Sequence, residues 1–428
     1  MNRSHVPPLS PRWRQAWLPA LLLAGLQPAL ATNGYFSHGY GVKALGQAGV
    51  AVAWSQDSLA AASNPAGTGA VGERIDAGLS WFRPRRSAAF VGNAFGADER
   101  YDGNGRQDFF IPELGWARPL TPDLSVGVAV YGNGGMNTDY ERNPYARFGA
   151  SGSAGVNLEQ LFVSPSLSWQ VAPGQRLGVS LPIAHQRFSA KGLGLFAGFS
   201  SAPAQVSDQG TDRSTGVGLR LGWQGQVLDS LTLGASWASR IQGRFKKYAG
   251  LFAEQGGFDV PEDYALGLRW QASEHWALGA DVQHIRYSRV ASVGHSLAPL
   301  LQGQPLGAAG GPGFGWRDVT VLKLAAEYRW DPRLTLRAGL SHNRQPVPDQ
   351  ETFFNILAPG VVRTHASLGA SYRLPAGELS AYLAYAPGHR VSGSGSIPPG
   401  NPPVGFGGGN AQVRLQESLF GLAYAWTF

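Results

Sequence analysis

The side chains of this chain that could do chemistry fall into two groups: single cations set in alternating apolar and polar segments, and clusters of large apolar residues in glycine-rich stretches. Arg220, Lys323 and Arg337 each sit on the polar face of such a segment, where a guanidinium or ammonium would receive a carboxylate head group. Each would equally pair with Glu113, Asp281 or Glu327, and Lys323 and Asp281 fall at similar depth on neighbouring segments, which favours plain charge balance for that pair. Leu193, Leu195, Phe196 and Phe199 form one apolar cluster, and Tyr248, Leu251 and Phe252 form another at helix-like spacing. Such clusters either bind an apolar ligand or pack against each other. Signals for catalysis are poor. The chain has no His-Glu-x-x-His, Gly-x-Ser-x-Gly or phosphate-binding loop, and its nine histidines lack metal-ligand spacing. Gly39-x-Gly41-x-x-Ala44 imitates a dinucleotide fingerprint, but no strand precedes it. Asp102-Gly103-Asn104-Gly105 with Asp108 suits a turn or a calcium loop, and the turn needs fewer assumptions. Neither a cofactor nor a resident metal is expected.

The elements that must position these residues are strands. From Thr320 to Trp330, residues 320, 322, 324, 326, 328 and 330 carry no charge, while Lys323, Glu327 and Arg329 lie opposite. Only a β-strand puts alternate side chains on opposite faces. The chain ends the same way, with Leu422, Tyr424, Trp426 and Phe428 on one side and Gly421, Ala423, Ala425 and Thr427 on the other. The polar faces are too polar and too rich in glycine to form a dry core. The apolar faces therefore point outward into lipid, the pattern of an all-β transmembrane barrel.

Composition agrees. Hydrophobic residues make up only 43% of 428, and no unbroken apolar run reaches the ~18 residues of a spanning helix. Arg3, Arg12 and Arg14, the apolar stretch 17–30 and Ala29-Leu30-Ala31 read as a secretory signal, residues 1–31, cleaved before Thr32. Its loss takes three positive charges from a formal +7 and leaves +4, so the charge is no argument for nucleic acid. An exported barrel can do without disulfides, and the chain has no cysteine.

Strands are predicted to begin near residues 75, 107, 124, 158, 176, 215, 231, 263, 275, 319, 334, 364, 378 and 411, fourteen in all and antiparallel. Even-numbered strands lead into tight turns such as 119–123, 172–175, Asp331-Pro332 and 375–377, and odd-numbered strands into long loops rich in Gly, Pro and Ser. Short turns face the periplasm and long loops the exterior. Residues 73–428 thus make the barrel, and residues 32–72 remain as a plug for its lumen. At the outer end of the third strand, Gly132-Asn133-Gly134-Gly135 either kinks the strand or begins a flexible loop. Arg83, Arg85 and Arg86, then Arg244, Lys246 and Lys247, then Arg286 and Arg289 fall at outer strand ends, a belt suited to lipopolysaccharide phosphates.

The run Gly34-Tyr35-Phe36-Ser37-His38-Gly39-Tyr40-Gly41, continuing through Gly46, Gly49 and Asp57 to Asn64-Pro65-Ala66, resembles the N-terminal hatch of the FadL/TodX (OmpP1) family of outer-membrane hydrophobic-compound transporters. The segments 131–137, 315–318, 337–339 and 348–360 resemble it too. The resemblance implies a fourteen-stranded barrel with a small helical plug, residues 46, 49, 57 and 64–66 belonging to that plug. It also implies passive uptake of long-chain fatty acids or hydrocarbons, capture between the two apolar outer loops, and lateral release at a kink in strand three formed by residues 132–135. The aromatic terminus at Phe428 resembles the signal read by barrel-assembly machinery. The chain is expected to act as a monomer in the bacterial outer membrane. A general porin or an outer-membrane lipid-acting enzyme is the alternative; the first has no use for a plug, and the second needs a nucleophile and base that the rim lacks.

Overall fold

The computed structural model describes residues 32–401 and 405–428, and the expected signal segment lies outside the described residues. Fourteen wall strands run antiparallel. They are β1 (Arg74–Val91), β2 (Phe109–Pro119), β3 (Leu124–Tyr140), β4 (Ala154–Ala172), β5 (Gln175–Ser180 and Ile183–Lys191), β6 (Asp212–Val217 and Arg220–Leu228), β7 (Leu231–Ala238), β8 (Asp263–Gln271), β9 (Trp276–Ile285), β10 (Val319–Arg329), β11 (Leu334–Asn343), β12 (Thr364–Leu374), β13 (Gly377–Ser392) and β14 (Asn410–Thr427). β14 pairs with β1 from Thr427↔Arg74 to Asn410↔Val91, which closes the ring and leaves no free edge at that seam. Pro182 interrupts β5, where a ladder N–H would otherwise be needed.

Alternation sets which face meets lipid. On β10, Leu322 and Leu324 are 54% and 59% exposed, whereas Val321, Lys323 and Ala325 are buried. Trp116, Trp169, Trp270, Trp276, Trp330 and Trp426 stand exposed at the ends next to the short turns, an aromatic girdle at one membrane boundary. The turns after β2, β4, β6, β8, β10 and β12 are the short connections, and the long loops all leave the opposite rim.

Residues 32–72 lie inside the ring. They form a short helix, α1 (Val42–Leu45), and two 3-10 turns, Ser58–Ala62 and Pro65–Ala70. Such short pieces cannot hold themselves together in water, and wall side chains fix them. Asp281 of β9 accepts from the backbone N–H of Ala51 and Val52 at 2.7 and 3.1 Å. Ser367 of β12 accepts from Ala48 N–H at 2.7 Å, and Glu113 of β2 accepts from Val42 N–H at 2.9 Å. Lys43 of α1 pairs with Glu378 of β13.

Candidate functional site

The third strand carries the main irregularity of the wall. β3 pairs with β4 along its length, but the register shifts between Gly132↔Leu161 and Gly134↔Gln160, leaving Asn133 as the extra residue of a bulge. On its other edge β3 pairs with β2 only from Ser125↔Pro119 to Val130↔Leu114. Beyond that point Phe109 to Glu113 of β2 pair with β1 alone. The break is closed above by Gly103–Gly105, whose backbone bonds Asp139 at 2.9 and 3.1 Å. The glycine run is thus a bulged strand that continues to Tyr140, and no loop begins there.

Within this window the edge of β3 is met by the plug. Phe36 pairs with Gly134, and Gly135 N–H donates to Tyr35 O at 3.0 Å. A Cβ on Gly134 would fall 1.6 Å from that carbonyl oxygen, so only glycine permits the approach. Asn133 points to the same side, accepting from the Tyr40 hydroxyl at 2.6 Å and donating to Gln160 at 3.0 Å. Tyr35 and Phe36 are fixed in turn by Tyr287, whose hydroxyl accepts from both backbone N–H groups at 3.2 and 3.3 Å.

The remaining plug residues act as joints. Asp57 caps the first 3-10 turn through Leu59 N–H, and burial, with Asp76 next in effect, pushes its carboxyl up to about 6. Asn64 caps the second by accepting from Ala66 N–H and donates to Val52 O and to Trp223 O of β6. Pro65 opens that turn, and Ser168 of β4 donates to Ala66 O at 2.8 Å. Gly46 packs on Gly369 of β12. Gly49 has φ +85° and its carbonyl accepts from Lys323.

The two apolar loop clusters come together. Leu193, Phe196, Leu251 and Phe252 line one crevice, completed by Phe188, Leu306 and Phe354. Its free space is about 30 Å³, room for two or three waters, so a ligand must part its walls. Leu195 and Phe199 pack against the outside of the same cluster, with Phe199 on Phe406 at 5.4 Å. Tyr248 does not line the crevice. Its hydroxyl donates to Gly210 O and accepts from Ala190 N–H, which ties the two loops together. Phe188 and Leu306 escaped the sequence reading because they come from a strand end and another loop, and Phe354, part of the segment 348–360 that resembles the family, was not expected in the crevice.

A second cavity lies directly behind the window, lined by Gly135, Met136 and Asn137 of β3, Phe82 and Arg86 of β1, and Leu415 and Glu417 of β14. Met136 lines both cavities. The side chain therefore forms the partition between crevice and window.

The three cations expected as head-group ligands are already engaged. Arg220 pairs with Asp263 at 3.0 Å and Arg337 with Glu327 at 2.9 Å. Lys323 donates to His38 O and Gly49 O at 3.0 and 3.3 Å and lies opposite Asp281 in register. Of the basic belt, Arg83, Arg85, Arg244, Lys246, Lys247, Arg286 and Arg289 are at least partly exposed. Arg86 is a correction: it is one residue out of phase with Arg85 and turns into the lumen, where it is 3% exposed. Asp102 and Asn104 shape a turn, with Asp102 accepting from Asn104 N–H at 2.9 Å, and no cluster of three metal-ligating side chains occurs among the described residues.

A closed fourteen-stranded barrel with an enclosed N-terminal segment and a broken third strand is a particular architecture. The model of the outer membrane transport proteins OMPP1/FadL/TodX matches residues 29–387. This chain belongs to that family. A FadL homologue of Pseudomonas aeruginosa superposes with a TM-score of 0.68 at 18% identity, over 92% of this chain and 100% of its own. The toluene transporter TodX of Pseudomonas putida gives 0.66 at 16% identity, over 91% and 99%. The Ralstonia pickettii toluene transporter TbuX gives 0.63 at 18%, again over 91% and 99%. At such identities the likeness is one of fold. A search of curated proteins gives no significant match. As a member of the OMPP1/FadL/TodX family the chain is an outer-membrane transport protein, and its exposed apolar wall faces lipid.

Proposed function

We propose that this barrel takes up hydrophobic molecules, long-chain fatty acids or aliphatic and aromatic hydrocarbons, by passive diffusion and releases them sideways into the membrane. The observation that carries this reading is the unpaired stretch between β2 and β3, with an apolar crevice and a small cavity on either side of Met136. Ligand is captured by Leu193, Phe196, Leu251 and Phe252, passes Met136, and leaves through the window at residues 132–135. The physics favours a sideways exit: each CH₂ kept out of water is worth about 0.8 kcal/mol, so a long chain that left through the periplasmic end would have to repay that for its whole length. Residues 32–72 act as the plug that blocks this axial path. Toluene transport by TodX and TbuX, built on the same fold, supports an apolar cargo.

The chain works as a monomeric channel and carries out no chemistry on its cargo. The belt at Arg83, Arg85, Arg244, Lys246, Lys247, Arg286 and Arg289 contacts lipopolysaccharide phosphates, and the terminal Phe428 is the mark read by the assembly machinery. Deleting Asn133 tests the exit. Removing the extra residue restores the two-residue register of β3, which should let it pair with β2 and close the window. Ligand binding at the cell surface should persist while delivery drops at least about tenfold. Unchanged delivery through a correctly assembled deletion variant would rule out the lateral route.

A further inference from the structure

Arginines gather on the outside of the wall where β13, β14 and β1 meet. Arg390 of β13 stands directly opposite Arg414 of β14, and Arg414 stands opposite Ser87 of β1. Arg85 is the next outward-facing residue of β1, and Arg100 reaches the same place from the first outer loop, donating from Nη2 to Ser87 Oγ at 3.3 Å. The residues beside them in the chain, Val391, Val413, Leu415 and Arg86, are the buried ones, so the four arginines face away from the lumen. Like charges directly opposite on neighbouring strands destabilise a sheet. No carboxylate lies within 4.0 Å of Arg85, Arg100, Arg390 or Arg414 among the described residues.

The surroundings indicate what settles this repulsion. Arg85, Arg100 and Arg414 line one crevice of about 770 Å³, in which two acids, Asp102 and Glu141, stand against five arginines. One of the five, Arg142, is already held by Glu99 at 2.6 Å. The crevice keeps an excess of positive charge. Its height in the membrane follows from the strands beneath it. On β1 and β14 the apolar outward face ends at Trp81 opposite Phe420, and Arg83 opposite Ser418, then Arg85 opposite Gln416, come next. Leu79, Leu383, Phe420 and Leu422 stand exposed on the same faces below. The arginines therefore begin where hydrocarbon ends, at the level of lipid head groups, and on the rim that carries the long loops.

We propose that Arg85, Arg100, Arg390 and Arg414 hold a phosphate of lipid A, the membrane anchor of lipopolysaccharide, so that the seam where the barrel closes carries one specific glycolipid site. Guanidinium groups bind phosphate through paired charge-assisted hydrogen bonds, and an anion between Arg390 and Arg414 turns their repulsion into attraction. The acyl chains of the same molecule lie against the exposed leucines below. This sharpens the reading of the basic belt as a lipopolysaccharide contact and rests on it. The test is native mass spectrometry of the folded protein in neutral detergent, titrated with bis-phosphorylated lipid A, its dephosphorylated form, phosphatidylglycerol and inorganic phosphate. The wild type should retain one bis-phosphorylated lipid A most tightly. Arg390→Gln with Arg414→Gln should weaken that binding about tenfold, as expected for lost charge-assisted hydrogen bonds, whereas Arg244→Gln with Lys246→Gln and Lys247→Gln should leave it in place. Lipid A should also raise the thermal midpoint of the wild type more than that of the Arg390, Arg414 variant. Heat-modifiable mobility on gels checks assembly, and Arg85→Gln with Arg100→Gln carries the test if the first pair does not assemble. Undiminished lipid A binding in an assembled variant would overturn the assignment, as would equally tight binding of dephosphorylated lipid A, phosphatidylglycerol or inorganic phosphate. Loss of binding only in the Arg244, Lys246, Lys247 variant would overturn this site and leave the belt standing. A wild type that binds no lipid A would overturn both.

Discussion

The two seams on either side of the β1–β2 hairpin are built in opposite ways. Between β14 and β1 every residue from Arg74 to Val91 has a partner, so the wall there is sealed by backbone hydrogen bonds alone. Between β2 and β3 only six residue pairs are made before the strands part, and the vacant edge of β3 is met by Phe36 of the enclosed segment. In hydrocarbon an unpaired backbone group costs several kcal/mol, so a wall can open only where something else satisfies its edge. The contrast teaches that the plug is also a piece of wall. Its Tyr35 and Phe36 lie where a regular barrel would place the neighbouring strand.

The largest effect should come from attacking the sealed seam. Deleting Trp426 to Phe428 removes the Trp426↔Ile75 and Thr427↔Arg74 pairs and one aromatic anchor. Heat-modifiable barrel should disappear from the outer membrane; its normal abundance on gels would show that closure does not depend on this end. Next comes the substituted seam. Removing residues 34–60 takes away both the filling of the lumen and the neighbour of Gly134, and single-channel conductance to small ions should rise several-fold. Conductance equal to that of the intact protein would mean that this segment seals nothing.

The smallest effect sharpens the comparison by loosening the plug without removing it. Asp57 is held in a buried group with Asp76, Glu113, Lys43 and Arg74, and its carboxyl is raised to about 6 from 3.8. A raised value means the docked plug binds the proton more tightly than a free one does. The resulting stabilisation is complete below about pH 4 and is lost as pH rises through 6, on the order of 3 kcal/mol. Brief conductance openings should therefore become more frequent between pH 4 and 7. Asp57→Asn, which keeps an acceptor for Leu59 N–H, should flatten that profile.

The wall was legible because its signal is local: a period of two needs only the residues of one strand, as on β10. The Gly132–Gly135 run was legible as an irregularity, since glycine marks bulges and close approaches, but its partner was not. Nothing in the sequence pairs Phe36 with a residue nearly a hundred positions away. Arg86 shows the reverse failure. Grouping it with Arg83 and Arg85 by proximity ignored the alternation that places neighbours on opposite faces, and the period that identified the strand would have turned it inward. Arg220, Lys323 and Arg337 lay on the polar face as expected, yet only three-dimensional contact shows that Asp263, Glu327 and the plug carbonyls of His38 and Gly49 already occupy them.

The enclosed segment also constrains the order of events at the membrane. Its hydrogen bonds reach β2, β4, β6, β9, β10 and β12, strands spread around the whole circumference, and its first residues are threaded behind β3. These tethers come from strands far apart in the sequence, so they can all form only as the sheet curls around the segment. Residues 32–72 therefore take their final position while the sheet is still curling, and the meeting of the last strand with the first completes their enclosure.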